Sequence, residues 1–359
     1  MNKKPIILGI ESSCDETAAS IVTEDDNHNP LILSNIISSQ ESVHKDFGGV
    51  VPELAARAHI EKIDWIVKKA VKKSKININE IDAVAATAGP GLVVCLSVGL
   101  SFGKALALSL NKSFIAVNHL EGHALSPKLN SKLNYPYLLL LISGGHTQFL
   151  SVQKLNEYKR LGTTIDDALG EAFDKTAKML GIKFPGGPQI EVLAKKGNPN
   201  RYKLPKPIFN KGGCNLSFAG LKTAIFRIAH EIKTDQQKYD LSASFQKTIN
   251  EILYKKTKTA FEKFEKINDL NNKKKIFVVA GGVAANKKIR SKLMELCNEN
   301  NYKYIFPPIE LCGDNAAMIA MVGLEKFKQK KFSTLDHPAK PRWPLDENAA
   351  FLKGAGVIF

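Results

Sequence analysis

One hairpin pattern occurs twice in this chain, and that repetition constrains its fold more than any other feature. The run Ile6-Ile7-Leu8-Gly9-Ile10 is short and apolar, as in a buried strand. Small and polar residues follow from Glu11 to Thr17, and a second, mostly apolar run returns from Ala18 to Val22. The same order reappears with Tyr137 to Ile142, the turn Ser143-Gly144-Gly145-His146-Thr147 and the strand Phe149 to Val152. Two copies of one device, about 130 residues apart, predict an internally duplicated fold with a lobe built on each.

The sequence between and beyond the hairpins alternates strand and helix, the pattern of an α/β protein. The spacing predicts an amphipathic helix over 60–73, with Ile63, Ile66, Val67, Ala70 and Val71 on one face. A strand over 82–87, a tight Ala88-Gly89-Pro90-Gly91 loop, a helix over 92–110 and a strand over 114–117 follow. After the second hairpin, helical spacing dominates over 165–180, 189–196, 221–232 and 241–264. The α/β pattern then resumes with a strand over 276–280, helices over 285–298 and 315–327, and a strand over 304–306 between them. Residues 268–275 are polar and Lys-rich and read as a solvated loop. The expected division is an N-terminal lobe over 1–130, a C-terminal lobe over 131–345 with a helical insertion at about 165–265, and a tail over 346–359.

A chain of 359 residues fits two such lobes. The formal net charge is +16, a field that attracts polyanions. Only six of the 51 basic residues are arginine, however, and a general drift of composition toward lysine accounts for the excess equally well. Lys68–Lys75, Lys255–Lys258 and Lys326–Lys331 are candidate nucleic-acid contacts, each also readable as a solvated helix face. Five scattered cysteines with no CxxC pair fit a reducing compartment. The apolar run after Met1 is too short for a signal peptide. The longest apolar stretch, 92–110, carries Ser97, Ser101, Lys104 and Ser109 and reads as a buried helix rather than a membrane span. A cytoplasmic protein is expected.

Three turns suit phosphate or acyl oxygens: Ser12-Ser13 with Thr17, Ser143 to Thr147, and Gly281-Gly282 between a strand and a helix. Each alone is an ordinary small-residue turn, but together they predict a nucleotide held in a cleft between lobes. His119 and His123 stand at i and i+4, one helix face, at a spacing that suits one metal ion. Asp314, just before a helix, is the candidate third ligand, with a plain N-cap as its alternative role. Imidazole with carboxylate suits iron, zinc or manganese. The hydrolytic HExxH pattern is absent, because Leu120 stands where the glutamate would be and Glu121 is turned off the histidine face. The stretch Ile165 to Lys175 carries Asp166, Asp167, Glu171 and Asp174, read as either a solvated helix face or ligand contacts.

These motifs together resemble the tRNA N6-adenosine threonylcarbamoyltransferase family. The resemblance runs from Gly9-Ile10-Glu11-Ser12-Ser13-Cys14-Asp15-Glu16-Thr17 through Gly48 to Ala55, Thr87 to Leu92, His119 to His123, Ser143 to Gln148, Gly170 to Lys175, Pro185 to Pro188 and Ala280 to Val283. It continues through Asn286 and Asp314-Asn315 to Arg342-Trp343-Pro344-Leu345. It implies an actin-like, sugar-kinase/Hsp70 (ASKHA) ATPase fold, with two lobes and a nucleotide cleft. It implies transfer of a threonylcarbamoyl group from threonylcarbamoyl-adenylate to N6 of the adenosine next to the anticodon, with AMP leaving. It implies one divalent metal ion per subunit, iron(II) with zinc as the alternative, held by His119, His123 and Asp314. The adenylate site it implies comprises Leu141, Ile142, Ser143, Gly144, Gly145, Asp174, Gly187, Glu191 and Asn286, with no residue assigned as nucleophile. The bacterial branch implies tRNA, a smaller inactive paralogue and a P-loop ATPase as partners, and no membrane. Asn118 and Ala284 depart from the common pattern, which places histidine and serine there. A metal-dependent endopeptidase and a non-catalytic ATP-binding scaffold of the actin-like class are the competing readings.

Overall fold

The computed structural model describes residues 4–269 and 274–350, and the chain divides into two units, Met1–Leu133 with Asp314–Glu347, and Asn134–Gly313 with Asn348–Phe359. The first unit opens with β1 (Ile7–Glu11), β2 (Glu16–Glu24) and β3 (Pro30–Ser39), then the short α1 (Glu41–His44) and the long α2 (Pro52–Ser74). β4 (Ala83–Gly89), α3 (Val93–Ser109), β5 (Ser113–Asn118) and α4 (His119–Leu125) complete its first part. The second unit has β6 (Tyr137–Ile142), β7 (Thr147–Lys154), β8 (Glu157–Thr163), α5 (Leu169–Met179), α6 (Gly186–Ala194), α7 (Ala219–Ala229) and α8 (Asp235–Asn268). It closes with β9 (Ile276–Ala280), α9 (Lys287–Glu299) and β10 (Lys303–Ile305), and the chain returns to the first unit as α10 (Ala316–Lys328).

The duplication is legible in the sheets. The first has the order β3-β2-β1-β4-β5, and the second the order β8-β7-β6-β9-β10. In each, the first strand runs antiparallel to the second and parallel to the fourth, and the remaining pairs match likewise. The expected hairpins are therefore three-stranded meanders. β3 and β8 escape the sequence pattern because, with one neighbour each and mixed exposure, they carry no continuous apolar run.

Each sheet has its own apolar core. In the first unit Ile63, Ile66, Val67 and Ala70 of α2 are buried as their spacing predicts, while Val71 is only partly covered. In the second, α5, α7, α8 and α9 close over β6, β7 and β9. Helix α8 is longer than the predicted 241–264, because Thr234 caps it and Gln237 completes a capping box.

Two boundaries differ from expectation. The second lobe does not run unbroken to 345, since Asp314–Glu347 belongs to the first unit. Helix α10 is buried over almost its entire length and crosses so close to β1 that a Cβ on Gly9 would lie 2.4 Å from the Ala316 carbonyl. An apolar helix shows no stripe that says which sheet it covers. The expected tail reaches Ala350 among the described residues; the rest of it, and 270–273 of the predicted 268–275 loop, lie outside them, and Asn268 ends α8. Helix α5 starts at Leu169 rather than 165, and residues 282–285 form a 3-10 turn before α9. No described helix is long and apolar enough to cross a membrane.

Candidate functional site

The first unit gathers the predicted metal ligands. β5 ends at Asn118, whose side chain caps α4 by accepting from the amides of Leu120 (2.9 Å) and Glu121 (3.4 Å), and donates to the Trp343 carbonyl (2.9 Å). The departure at Asn118 is thus a helix start. His119 and His123 share one face of α4, their ring centroids 4.8 Å apart. Asp314 meets both: its Oδ1 lies 3.5 Å from His119 Nε2 and 3.0 Å from His123 Nε2. The capping role belongs to Asn315, whose side chain accepts from the Met318 amide at 3.1 Å, which leaves Asp314 for the histidines.

The outer partners come from the hairpin turn after β1. Glu11 Oε2 lies 3.0 Å from His119 Nδ1, and Ser13 Oγ lies 3.1 Å from it. A carboxylate on Nδ1 fixes a proton there and turns Nε2 toward Asp314 and His123. Thr87 donates to the same Glu11 oxygen at 2.6 Å. Burial alone would raise the Asp314 carboxyl; the His119 charge and hydrogen bonds from both histidines outweigh it and hold the group well below the usual range. Burial likewise opposes the charged form of His119, but Asp314 and Glu11 raise it well above its ordinary value. Glu11 is pushed up by burial and pulled lower overall by His119. Burial, then Asp314 and Asp15, push Glu16 well up. Two imidazoles and a carboxylate, with ligand atoms all within 4.8 Å of one another and further acids around them, form a donor set that fits a divalent cation.

Glu121 takes no part in this donor set. It is buried on the other side of α4, in an ion pair with Lys326 of α10 at 2.9 Å.

A buried chain of hydrogen bonds supports the same turn. His44 accepts from the Val51 amide at Nδ1 (3.3 Å), so its Nε2 donates to Gln40 Oε1 (3.2 Å). Gln40 Nε2 donates to His59 Nδ1 (3.3 Å) and to the Ala55 carbonyl (3.3 Å). Thr17 also meets His59 Nδ1 (2.8 Å), and His59 Nε2 donates to the Cys14 carbonyl (3.0 Å). Burial lowers the His59 pKa, and its hydrogen bond to Cys14 offsets this only in part. No local spacing encodes this support, which draws in the Val51 amide and the Ala55 carbonyl of the Gly48–Ala55 block.

The second unit brings together the residues expected at an adenylate. At the turn after β6, the Ser143 amide donates to the His146 carbonyl (2.8 Å), and Gly170, at the start of α5, donates to the Ser143 carbonyl (3.2 Å). A Cβ on Gly144 or Gly145 would meet nothing within 4 Å. Leu141 and Ile142 are fully buried and paired within β6, so they back the turn. Gly281 has φ +96°, and its added Cβ would lie 2.4 Å from the Ile142 carbonyl. Asp174 accepts from the Gly186 amide (2.8 Å), beside Gly187. Glu191 accepts from the Lys287 amide (2.8 Å), and Asn286 caps α9 through Ile289 (2.9 Å) while donating to Gln246 (2.8 Å). Arg290 holds the same turn, donating to the Ala284 carbonyl (2.5 Å) and the Pro307 carbonyl (2.7 Å). Gln246 and Arg290 are additions to the predicted set; from sequence they were an unremarkable glutamine and arginine on helices.

The predicted acidic helix face divides. Asp166 lies before α5 and accepts from Ser217 and from the amides of Phe218 (2.7 Å) and Ala219 (3.3 Å), holding the start of α7. Asp167 pairs with Lys175 (3.0 Å) and Lys222 (3.3 Å). Only Glu171 and Asp174 sit on the helix.

Comparison with known proteins points to one family. A family model described as tRNA N6-adenosine threonylcarbamoyltransferase matches residues 31–321. A relative of that name from Pelagibacter ubique (strain HTCC1062) is 77% identical over 357 residues, covering 99% of each chain. One from Rickettsia rickettsii (strain Sheila Smith) is 53% identical over 343 residues, covering 95% of this chain and 98% of the relative. Among solved structures, HypF from T. kodakarensis aligns at a TM-score of 0.60 with 13% identity, covering 94% of this chain and 50% of that one. Full-length HypF in its phosphate- and nucleotide-bound form aligns at 0.58 with 14% identity, covering 93% and 48%. The chain spans about half the length of these two proteins, and at such identity the likeness speaks for fold alone. It bears out the actin-like, sugar-kinase/Hsp70 class.

Proposed function

We propose how the site works from one premise: the chain belongs to the tRNA N6-adenosine threonylcarbamoyltransferase family, and is a transferase that moves a threonylcarbamoyl group onto a tRNA adenosine. The donor is threonylcarbamoyl-adenylate. The acceptor is the exocyclic amine of the adenosine next to the anticodon, in tRNAs that read codons beginning with adenine. A carbon–nitrogen bond forms at the carbamoyl carbon, the bond to the adenylate oxygen breaks, AMP leaves with its electron pair, and one amine proton passes to AMP or to water. The amine is itself the nucleophile, so no side chain needs to form a covalent intermediate.

His119, His123 and Asp314 would hold one divalent ion, iron(II) with zinc as the alternative. When bound, such an ion supplies Lewis acidity and a fixed docking point for oxygen donors. Glu11 and Ser13 hold a proton at His119 Nδ1, so that Nε2 would be the atom given to the ion. In the second unit, the open Ser143–Gly145 turn offers backbone amides to phosphate or developing negative charge. Asp174, Gly187, Glu191 and Asn286 line the adenylate, with Leu141 and Ile142 buried behind the Ser143 turn. Asp174 and Glu191 each spend one carboxylate oxygen on a backbone amide, which fixes the glycine turns around the ligand. A smaller inactive paralogue and a P-loop ATPase are the expected partners, in the cytoplasm.

The observation that carries this reading is the convergence of His119, His123 and Asp314 over a hairpin carboxylate. The test is mass spectrometry of anticodon-loop nucleosides from cells depleted of the protein and complemented with wild type or His119→Ala. Threonylcarbamoyl-adenosine should vanish on depletion and return only with wild type. Unchanged levels on depletion would overturn the proposal.

A further inference from the structure

The second unit carries a basic strap that no part of the transfer site uses. Between Glu191 and Glu231 the sequence has no acidic residue and eight basic ones. Drift toward lysine cannot explain this, because drift does not remove every acid from one segment of a chain that has 35. Six of the eight, Lys195, Lys196, Arg201, Lys203, Lys206 and Lys211, lie on the connection between α6 and α7, and all six are exposed.

This connection is not a loose loop. Helix α8 fastens its polar groups at successive turns. Asp240 accepts from the Asn198 amide (2.8 Å), Ser244 accepts from the Tyr202 amide (3.2 Å), and Lys247 donates to the Asn200 side chain (2.6 Å). Glu251 pairs with Lys206. Lys256, only 1% exposed, donates to the carbonyls of Lys211 (2.8 Å) and Gly213 (3.3 Å). Positions 240, 244, 247 and 251 follow one helix face, so one side of the helix holds the strap inward along its length. Pro199, Pro205 and Pro207 stiffen it further. Lys195, Arg201, Lys203 and Lys211 form no ion pair among the described residues.

The lysine clusters picked from the sequence fare worse. Lys256 is buried in the α8 interaction just described. Lys326 is buried against Glu121, and Lys328 pairs with Glu24. On α2, Lys68 pairs with Asp64 (2.9 Å) and Lys69 lies over the Trp65 ring, on a helix that also carries Glu53 and Glu61.

We infer that the strap over 195–211 is a contact surface for the phosphate backbone of tRNA. The inference rests on the transferase reading for the identity of the polyanion; the surface itself rests on charge and anchoring. A set of unpaired cations on an anchored connection of turns suits a repeating phosphate backbone, and positions the RNA without reading bases.

The test measures binding of a full-length tRNA transcript to the full-length chain over a range of salt. Wild type is compared with a strap variant, Lys195→Gln, Arg201→Gln, Lys203→Gln and Lys211→Gln, and with an α2 variant of equal charge loss, Lys62→Gln, Lys68→Gln, Lys72→Gln and Lys73→Gln. The strap variant should lower the slope of log affinity against log salt by about three to four. Its affinity loss between about 50 and 200 mM salt should therefore be roughly a hundredfold smaller than that of wild type. The α2 variant should keep the wild-type slope. Equal losses in both variants would mean a diffuse field and would overturn the strap. Unchanged tRNA binding by the strap variant would overturn it too, and leave the transferase reading standing. Unchanged tRNA binding with lost capture of an acidic partner protein would make the strap a protein-docking surface instead. A wild type that binds no tRNA at any salt would overturn the substrate reading together with the strap.

Discussion

At the turn after β1, side chains hold the neighbouring groups. Glu11 and Ser13 grip His119, while Thr87 and His59 brace the turn. At the topologically equivalent turn after β6, backbone does most of the holding, and the Ser143 and Thr147 hydroxyls accept from the amides of His146 (3.1 Å) and Leu169 (2.8 Å). Ser143 is tied by main-chain bonds to His146 and Gly170, and Gly144 and Gly145 leave open space. The same supersecondary device thus gives one crowded, charged turn and one bare one. A turn that must orient a metal ligand needs groups with directional lone pairs. A turn that offers amides to an anion needs room for the anion to approach.

The sharpest way to break this contrast is at the crowded turn's target. Asp314→Ala removes a ligand and leaves two imidazoles without their shared carboxylate. Metal content by elemental analysis should fall from about one ion per chain to near none, and transfer should fall by more than the roughly 10–100-fold typical of outer-shell changes. Glu11→Gln is such an outer-shell change. It should weaken metal affinity, read by chelator competition, by about 10–100-fold while the fold survives. A Glu11→Gln chain that holds metal as tightly as wild type would remove Glu11 from the site.

The bare turn predicts smaller effects that run through backbone. Gly281→Ala, at φ +96° and with Ile142 in the way, should cost about 1–3 kcal/mol of stability and raise the donor KM, with metal content unchanged. The His59 chain gives the crowded turn a pH signature. The His59 pKa is depressed by burial, so its contribution to stability is complete above the unfolded value of about 6.5 and is lost as pH falls below it. Denaturant unfolding of wild type should gain a slope of up to about 1.4 kcal/mol per pH unit in that range relative to His59→Gln. The smallest stability change belongs to Gly144→Ala, within about 0.5 kcal/mol because nothing crowds its Cβ. Its donor KM should nevertheless rise, and an unchanged KM would separate the bare turn from the adenylate.

Much of the site was legible from local spacing. His119 and His123 are four residues apart on one helix, and the strand before them supplies the helix start. Their partners were not legible. Glu11 and Ser13 reach His119 across more than a hundred residues, and no local pattern encodes such a distance. Gln40, His44 and His59 were similarly silent, because a buried polar residue is recognised only once its partners are in place.

By itself the sequence determined the duplicated strand–turn–strand device, the α/β alternation and the candidate metal donors. These follow from periodicity and residue chemistry, which act over a few residues. Only the tertiary structure decided that Asp314–Glu347 returns to the first unit, that Asn315 and not Asp314 caps α10, and which lysines remain exposed. Those outcomes depend on which surfaces are buried against which. Lys256 and Lys211 are alike in the sequence, yet packing places one beneath the strap and the other on it.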